Sequence, residues 1–205
     1  MTLTPGRRDE PLQHWVTYVI DIPAKKPGPY QVRVAVRDVA SGRVGSAYEF
    51  VRVPDLDSGD LVLSGILTMD ASAPAVWPPA SDSGRADAIR FESDAPAVRR
   101  VFAPGSPVAY GVTVFNAQVG RETRQVQLAT RVRLLRDGRE VLAGQSLPVD
   151  ISGQADVKAI FASGTLLLPP QLEEGDYALQ VTVTDGASPT KVRAAMQTVE
   201  LEVRR

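Results

Sequence analysis

The chain has 205 residues, 43% of them hydrophobic, and its 23 Lys and Arg against 24 Asp and Glu leave a formal net charge of -1. This composition sustains a buried core, allows one large β domain or two small ones, and carries no bulk field toward nucleic acid or an anionic membrane surface. The lack of cysteine excludes disulfides, thiolate metal sites and cysteine nucleophiles.

Taken in order, "MTLTPGRRDEPLQHW" lacks the uninterrupted apolar core of a signal peptide. Trp15 then opens a strand that continues into "YVIDIP". In "GPYQVRVAVRD", residues 28 to 38, Tyr30, Val32, Val34 and Val36 alternate with Gln31, Arg33, Ala35 and Arg37, which predicts a strand with one wet face. A turn and another strand, "SAYEFVRV", follow, then a polar linker at 56–60. The stretch from Asp70 to Pro96 is rich in Ala, Pro, Ser and Asp and reads as a long surface loop with at most a short strand at 89–91. Further on, "VAYGVTVFNA" sets Val108, Tyr110, Val112 and Val114 inward. "VQLATRVRLL" does the same with Val126, Leu128, Thr130, Val132 and Leu134. Asp137-Gly138 between two apolar runs is a strong hairpin signal, because a type I′ turn needs positive φ at both central positions. "TLLLPP" leads to "GDYALQVTVTD", residues 175 to 185, where Tyr177, Leu179, Val181 and Val183 face inward. The final "KVRAAMQTVELEV" changes phase from Val192, Ala194 and Met196 to Val199, Leu201 and Val203, and predicts a bulge near Gln197. The longest apolar runs are too short to span a bilayer, so membrane insertion is not expected.

"GPYQVRVAVRD" and "GDYALQVTVTD" are one strand written twice. Each follows an apolar run ending in proline and precedes a turn and a last strand, so a whole module repeats. The Gly-x-Tyr opening places Tyr30 and Tyr177 at tyrosine corners of immunoglobulin-like sandwiches, where the phenol bonds back to the preceding corner. The expected class is therefore all-β, with tandem immunoglobulin-like β-sandwiches. Residues 1–55 supply only the last strands of an incomplete sandwich, 56–60 are linker, and 61–205 form a complete one carrying the 70–96 loop. Three strands alone leave an apolar face bare, so the first unit is expected to pack on the second or to belong to a longer parent chain.

The run "GPYQVRVAVRDVASGRVGSAYEFVRVPDLDSGDLVLSGI", with "FAPGSPVAYGVTVFNA", "RLLRDGREVL" and "GDYALQVTVTD", resembles the C-terminal β-sandwich region of bacterial von Willebrand factor A-related proteins. The resemblance implies an exported or envelope-associated protein with a non-catalytic tail. The A-type domain and its Asp-x-Ser-x-Ser metal motif are absent from these residues, so its metal-dependent adhesion does not carry over.

Chemistry-bearing sets are few. The single histidine, His14, has no Gly-x-Ser-x-Gly to serve, so no enzyme activity and no cofactor are expected. Asp55, Asp57 and Asp60 in "DLDSGD" are the one candidate metal set, since hard cations favour clustered carboxylates; the bidentate Glu of a calcium loop is missing, and a solvated linker is the competing reading. Trp77, on the long loop, is the candidate carbohydrate platform, weighed against a loop anchor tucked on the sandwich. Trp15 is expected to cover core. The leading expectation is a structural or interaction module that spaces or presents a neighbouring domain and binds protein, with a carbohydrate-binding module as alternative and no nucleic-acid role.

Overall fold

The computed structural model describes residues 22–72, 99–121, 123–152, 154, 158–187 and 192–205. His14, Trp15, Trp77 and the strand expected at 89–91 lie outside them. The described chain is all-β, in twelve strands: β1 (Gly28–Arg37), β2 (Val44–Val53), β3 (Val62–Leu63), β4 (Leu67–Asp70), β5 (Val101–Phe102), β6 (Pro107–Phe115), β7 (Leu128–Arg136), β8 (Arg139–Ala143), β9 (Leu147–Pro148), β10 (Ala159–Leu167), β11 (Gly175–Asp185) and β12 (Arg193–Val203). A single 3₁₀ turn, Leu56–Ser58, separates β2 from β3.

Strands β3 to β12 build a sandwich of two open sheets. One is β10-β6-β3 with β4 also on β6; the other is β5-β12-β11-β7-β8 with β9 also on β7. Alternation decides what lies between them. On β11, Tyr177, Leu179, Val181 and Val183 are buried, as are Leu128, Thr130, Val132 and Leu134 on β7 and Val199, Leu201 and Val203 on β12. Val108, Tyr110, Val112 and Val114 of β6, with Ile160, Ala162 and Leu166 of β10, meet them from the opposite sheet in one continuous core. Apolar area removed from water at roughly 25 cal/mol per Å² is the main stabilising term of such a core. Strand β6 departs from simple alternation, because Ala109 and Gly111 are buried as well.

The Asp137-Gly138 turn joins β7 to β8 with φ of 51° and 74°, the geometry a two-residue primed turn requires. The expected bulge near Gln197 does not form. Strand β12 runs in unbroken register on β11 from Gly175↔Val203 to Asp185↔Arg193, and its odd-numbered residues face inward throughout. Ala194 and Met196 instead point outward, with Met196 56% exposed; two small or unbranched side chains on a wet face cost less than breaking the ladder. The register shift lies elsewhere, between Leu134 and Leu135 where β8 pairs with β7.

Strands β1 and β2 form a separate antiparallel ribbon with Gly28↔Val53, Tyr30↔Val51 and Val34↔Ala47 among its pairs. Neither strand hydrogen-bonds into the sandwich sheets. Val34, Val36 and Val51 on the ribbon's valine face are exposed, at 44%, 66% and 43%.

Candidate functional site

The polar stretch between ribbon and sandwich is tied to the sandwich by three long-range hydrogen bonds. Its local shape follows from its own side chains. The Asp55 carboxylate accepts the Asp57 amide at 3.0 Å. Ser58 Oγ donates to the Asp55 carbonyl at 2.9 Å and accepts the Asp60 amide at 3.2 Å. These short-range bonds roll Leu56–Ser58 into its 3₁₀ turn and aim several carbonyls at the sandwich.

Two sandwich residues collect those carbonyls. Asn116, just after β6, adopts a left-handed φ of 61°, a conformation asparagine tolerates better than most residues. Its Nδ2 donates to the Leu56 carbonyl at 2.8 Å and the Asp60 carbonyl at 3.0 Å. Arg193, at the start of β12, donates from Nη2 to the Gly59 carbonyl at 2.6 Å and from Nη1 to the Asn116 carbonyl at 2.9 Å.

Behind Arg193 stands its cross-strand partner Asp185, whose side chain is 1% exposed against 12% for Arg193. Asp185 accepts the Gln118 amide at 2.9 Å and the Ala187 amide at 3.1 Å, with Arg193 Nη1 at 3.5 Å. A buried carboxylate is tolerable only with such donors around it. Here the acid orients the guanidinium, and the guanidinium holds the linker.

The carboxylates of Asp55, Asp57 and Asp60 thus lie on exposed linker backbone. The Leu56, Gly59 and Asp60 carbonyls each accept a protein N–H donor. Among the described residues no group of three His, Cys, Asp or Glu side chains is arranged to hold a metal ion.

Tyr30 and Tyr177 make the same closure four residues back. The Tyr177 hydroxyl donates to the Glu173 carbonyl at 2.8 Å and the Tyr30 hydroxyl to the Lys26 carbonyl at 2.7 Å. The surroundings differ. Arg136 stacks 5.4 Å from the Tyr177 ring centroid and bonds Glu173 Oε2 at 2.5 Å, so the second corner is cross-braced from β7. The Glu173 carboxylate, the first cause, also holds the Arg136 guanidinium more firmly protonated than usual.

Sequence reasoning reached the linker and both tyrosines but missed Asn116, Asp185 and Arg193. A signal was present: an aspartate ending a strand of alternating apolar residues and an arginine opening the next are apt to face each other across a hairpin. Trp77 lies outside the described residues. No family model matches the chain, and no curated protein matches it.

Proposed function

We propose that the chain is a non-catalytic spacer and interaction module. It belongs to a larger exported or envelope-associated bacterial protein, of the kind in which β-sandwich modules follow a von Willebrand A-type domain. Its work is to hold a neighbouring unit at a set orientation and present it to protein partners. The observation that carries this reading is the junction: three consecutive-turn carbonyls of the linker are held by Asn116 and Arg193, with the buried Asp185 fixing Arg193. A linker that served only as a flexible tether would gain nothing from a buried charge pair; one that sets an angle needs a stiff anchor.

The absence of cysteine allows a clean test. Cysteines introduced at Ser46 on the ribbon and Arg139 on β8 take nitroxide labels, and the spread of interspin distances reports how rigidly the two units are held. The expected outcome is a narrow distribution that broadens in Asn116→Gly, which keeps the positive φ and removes only the amide donors. Arg193→Ala is the stronger lesion, because stranding the buried Asp185 costs about 3–5 kcal/mol. An equally broad distribution before and after Asn116→Gly refutes the spacer reading.

A further inference from the structure

The ribbon has a second face, opposite its valines, and the pairing register fixes who stands on it. Arg37 pairs with Val44, Ala35 with Ser46, Arg33 with Tyr48, Gln31 with Phe50 and Pro29 with Arg52, and directly paired residues of an antiparallel ladder share a face. Tyr48 and Phe50 are 68% and 69% exposed, with ring centroids 6.1 Å apart and planes nearly perpendicular. Gln31, Arg33, Ala35, Ser46, Tyr48 and Phe50 line a shallow groove there. Arg33 Nε donates to Gln31 Oε1 at 2.9 Å, and among the described residues no carboxylate pairs with Arg33, Arg37 or Arg52. The nearest acids in sequence are elsewhere: Glu49 is on the valine face, and Asp38 is in the connecting turn.

The equivalent positions of the second hairpin show that the fold does not require this. By register, Gln180, Thr184 and Glu202 stand where Arg33, Arg37 and Arg52 do, and Thr198 and Glu200 replace Tyr48 and Phe50. One backbone scaffold therefore carries a neutral-to-acidic outer surface in one copy and a cationic, aromatic one in the other. Exposed aromatics beside arginines that lack a carboxylate partner among the described residues are the kinds of side chain enriched at protein interfaces.

We propose that this face of β1–β2 docks an extended acidic protein segment. Along the ribbon, Arg37, the Arg33 level and the Arg52 level are four residues apart, roughly 13 Å at the rise of a strand. An extended peptide places every second side chain on one face, so carboxylates recurring every fourth residue match the guanidinium spacing. An apolar side chain midway between the carboxylates that meet Arg33 and Arg52 then lies on Phe50, while Tyr48 stands beside Arg33 at a carboxylate level. Nucleic acid fits less well, because its phosphates recur at closer intervals than about 13 Å and would leave most charges unmet. The proposal rests on the interaction-module reading and adds a face and a ligand chemistry to it; the interspin measurement tests the spacer role independently.

The probe is a fluorescein-labelled peptide of repeating Glu-Ser-Val-Ser, added to the full chain. Polarisation is the first readout and backbone amide shifts the second. Saturable binding is expected, weakened severalfold by raising salt from about 50 to 500 mM, with shifts confined to β1 and β2 around Arg33, Tyr48 and Phe50. Exchanging the face for its counterpart, Arg33→Gln with Phe50→Glu, is expected to weaken binding by about tenfold or more. Shifts on the unsubstituted chain locate the site even where that variant disturbs the ribbon. No binding, equal binding of the matching Lys peptide, shifts elsewhere, or capture of oligothymidylate or anionic phosphatidylglycerol vesicles in preference to the peptide each overturns the proposal.

Discussion

The hairpins β1–β2 and β11–β12 share one plan and meet different fates. Both begin at a glycine with nearly the same unusual φ, 139° at Gly28 and 138° at Gly175, a region a side chain disfavours. Both bend a tyrosine back four residues, and both set Tyr opposite an aliphatic residue, Tyr30↔Val51 and Tyr177↔Leu201. Yet Leu179 and Val181 are fully buried, whereas Val34 and Val36 are exposed. The difference comes from what stands opposite. Strands β6 and β10 face the second hairpin across the core, and β7 and β5 pair with its two edges. Even the closing pair changes its work: Asp185 and Arg193 anchor the linker, while at the corresponding place Asp38 caps its own turn, accepting the Ala40 amide at 2.8 Å. Local plan and tertiary context are separable, and this chain shows both settings of one plan.

The comparison breaks most visibly in the core. Leu179→Ala is expected to cost about 2–5 kcal/mol of unfolding free energy, because the leucine is wholly buried. Val32→Ala, on a half-buried ribbon position, is expected to cost less than about 1 kcal/mol. Urea denaturation of the two variants measures both; a comparable loss at Val32 would mean that the ribbon shares the sandwich's cooperative unit. The corners give a finer contrast. Tyr177→Phe removes the hydroxyl that donates to Glu173 and is expected to cost about 1 kcal/mol. Tyr30→Phe removes a solvent-exposed bond and is expected to leave the main transition within about 0.5 kcal/mol, with its effect confined to amide exchange in β1 and β2.

The smallest effect is one of pH. Bonds from Ser41, the hydroxyl first and then the amide, and from the Ala40 amide hold the Asp38 carboxyl below its ordinary range. A carboxylate depressed in the folded state stabilises above its unfolded pKa and loses that contribution as pH falls through the folded value. The β1–β2 turn is therefore expected to loosen under acid below the normal aspartate range, seen as faster exchange of the Gly42 amide, which donates to the Asp38 carbonyl at 2.8 Å. Asp150, depressed chiefly by Ser152, is expected to titrate in parallel without affecting the ribbon.

Much of this architecture was legible in the residues. Period-two alternation located β6, β7 and β11 with their inward faces, since a strand's side chains must alternate whatever it packs against. Asp137-Gly138 located a turn because few residues accept its dihedrals. The bulge expected at Gln197 failed because an apolar residue on a strand was taken to face inward; Met196 shows that an unbranched side chain on the wet face is a smaller cost than a broken ladder. The candidate site was only half legible. "DLDSGD" announced a polar turn, but its partners Asn116 and Arg193 lie 56 to 134 residues away along the chain, and short-range pattern carries no information about such pairings.

By itself the sequence determined the local grammar of this protein: which segments extend, which side of each strand is apolar, where the chain turns, and that one hairpin is written twice. These follow from backbone sterics and side-chain periodicity, which act within a few residues. Tertiary packing settled which copy of that hairpin is buried, which aspartate became a buried anchor, and that Tyr48 and Phe50 stand open beside arginines that no carboxylate among the described residues pairs. Burial and charge pairing depend on what lies across a sheet, and that neighbour comes from distant parts of the chain.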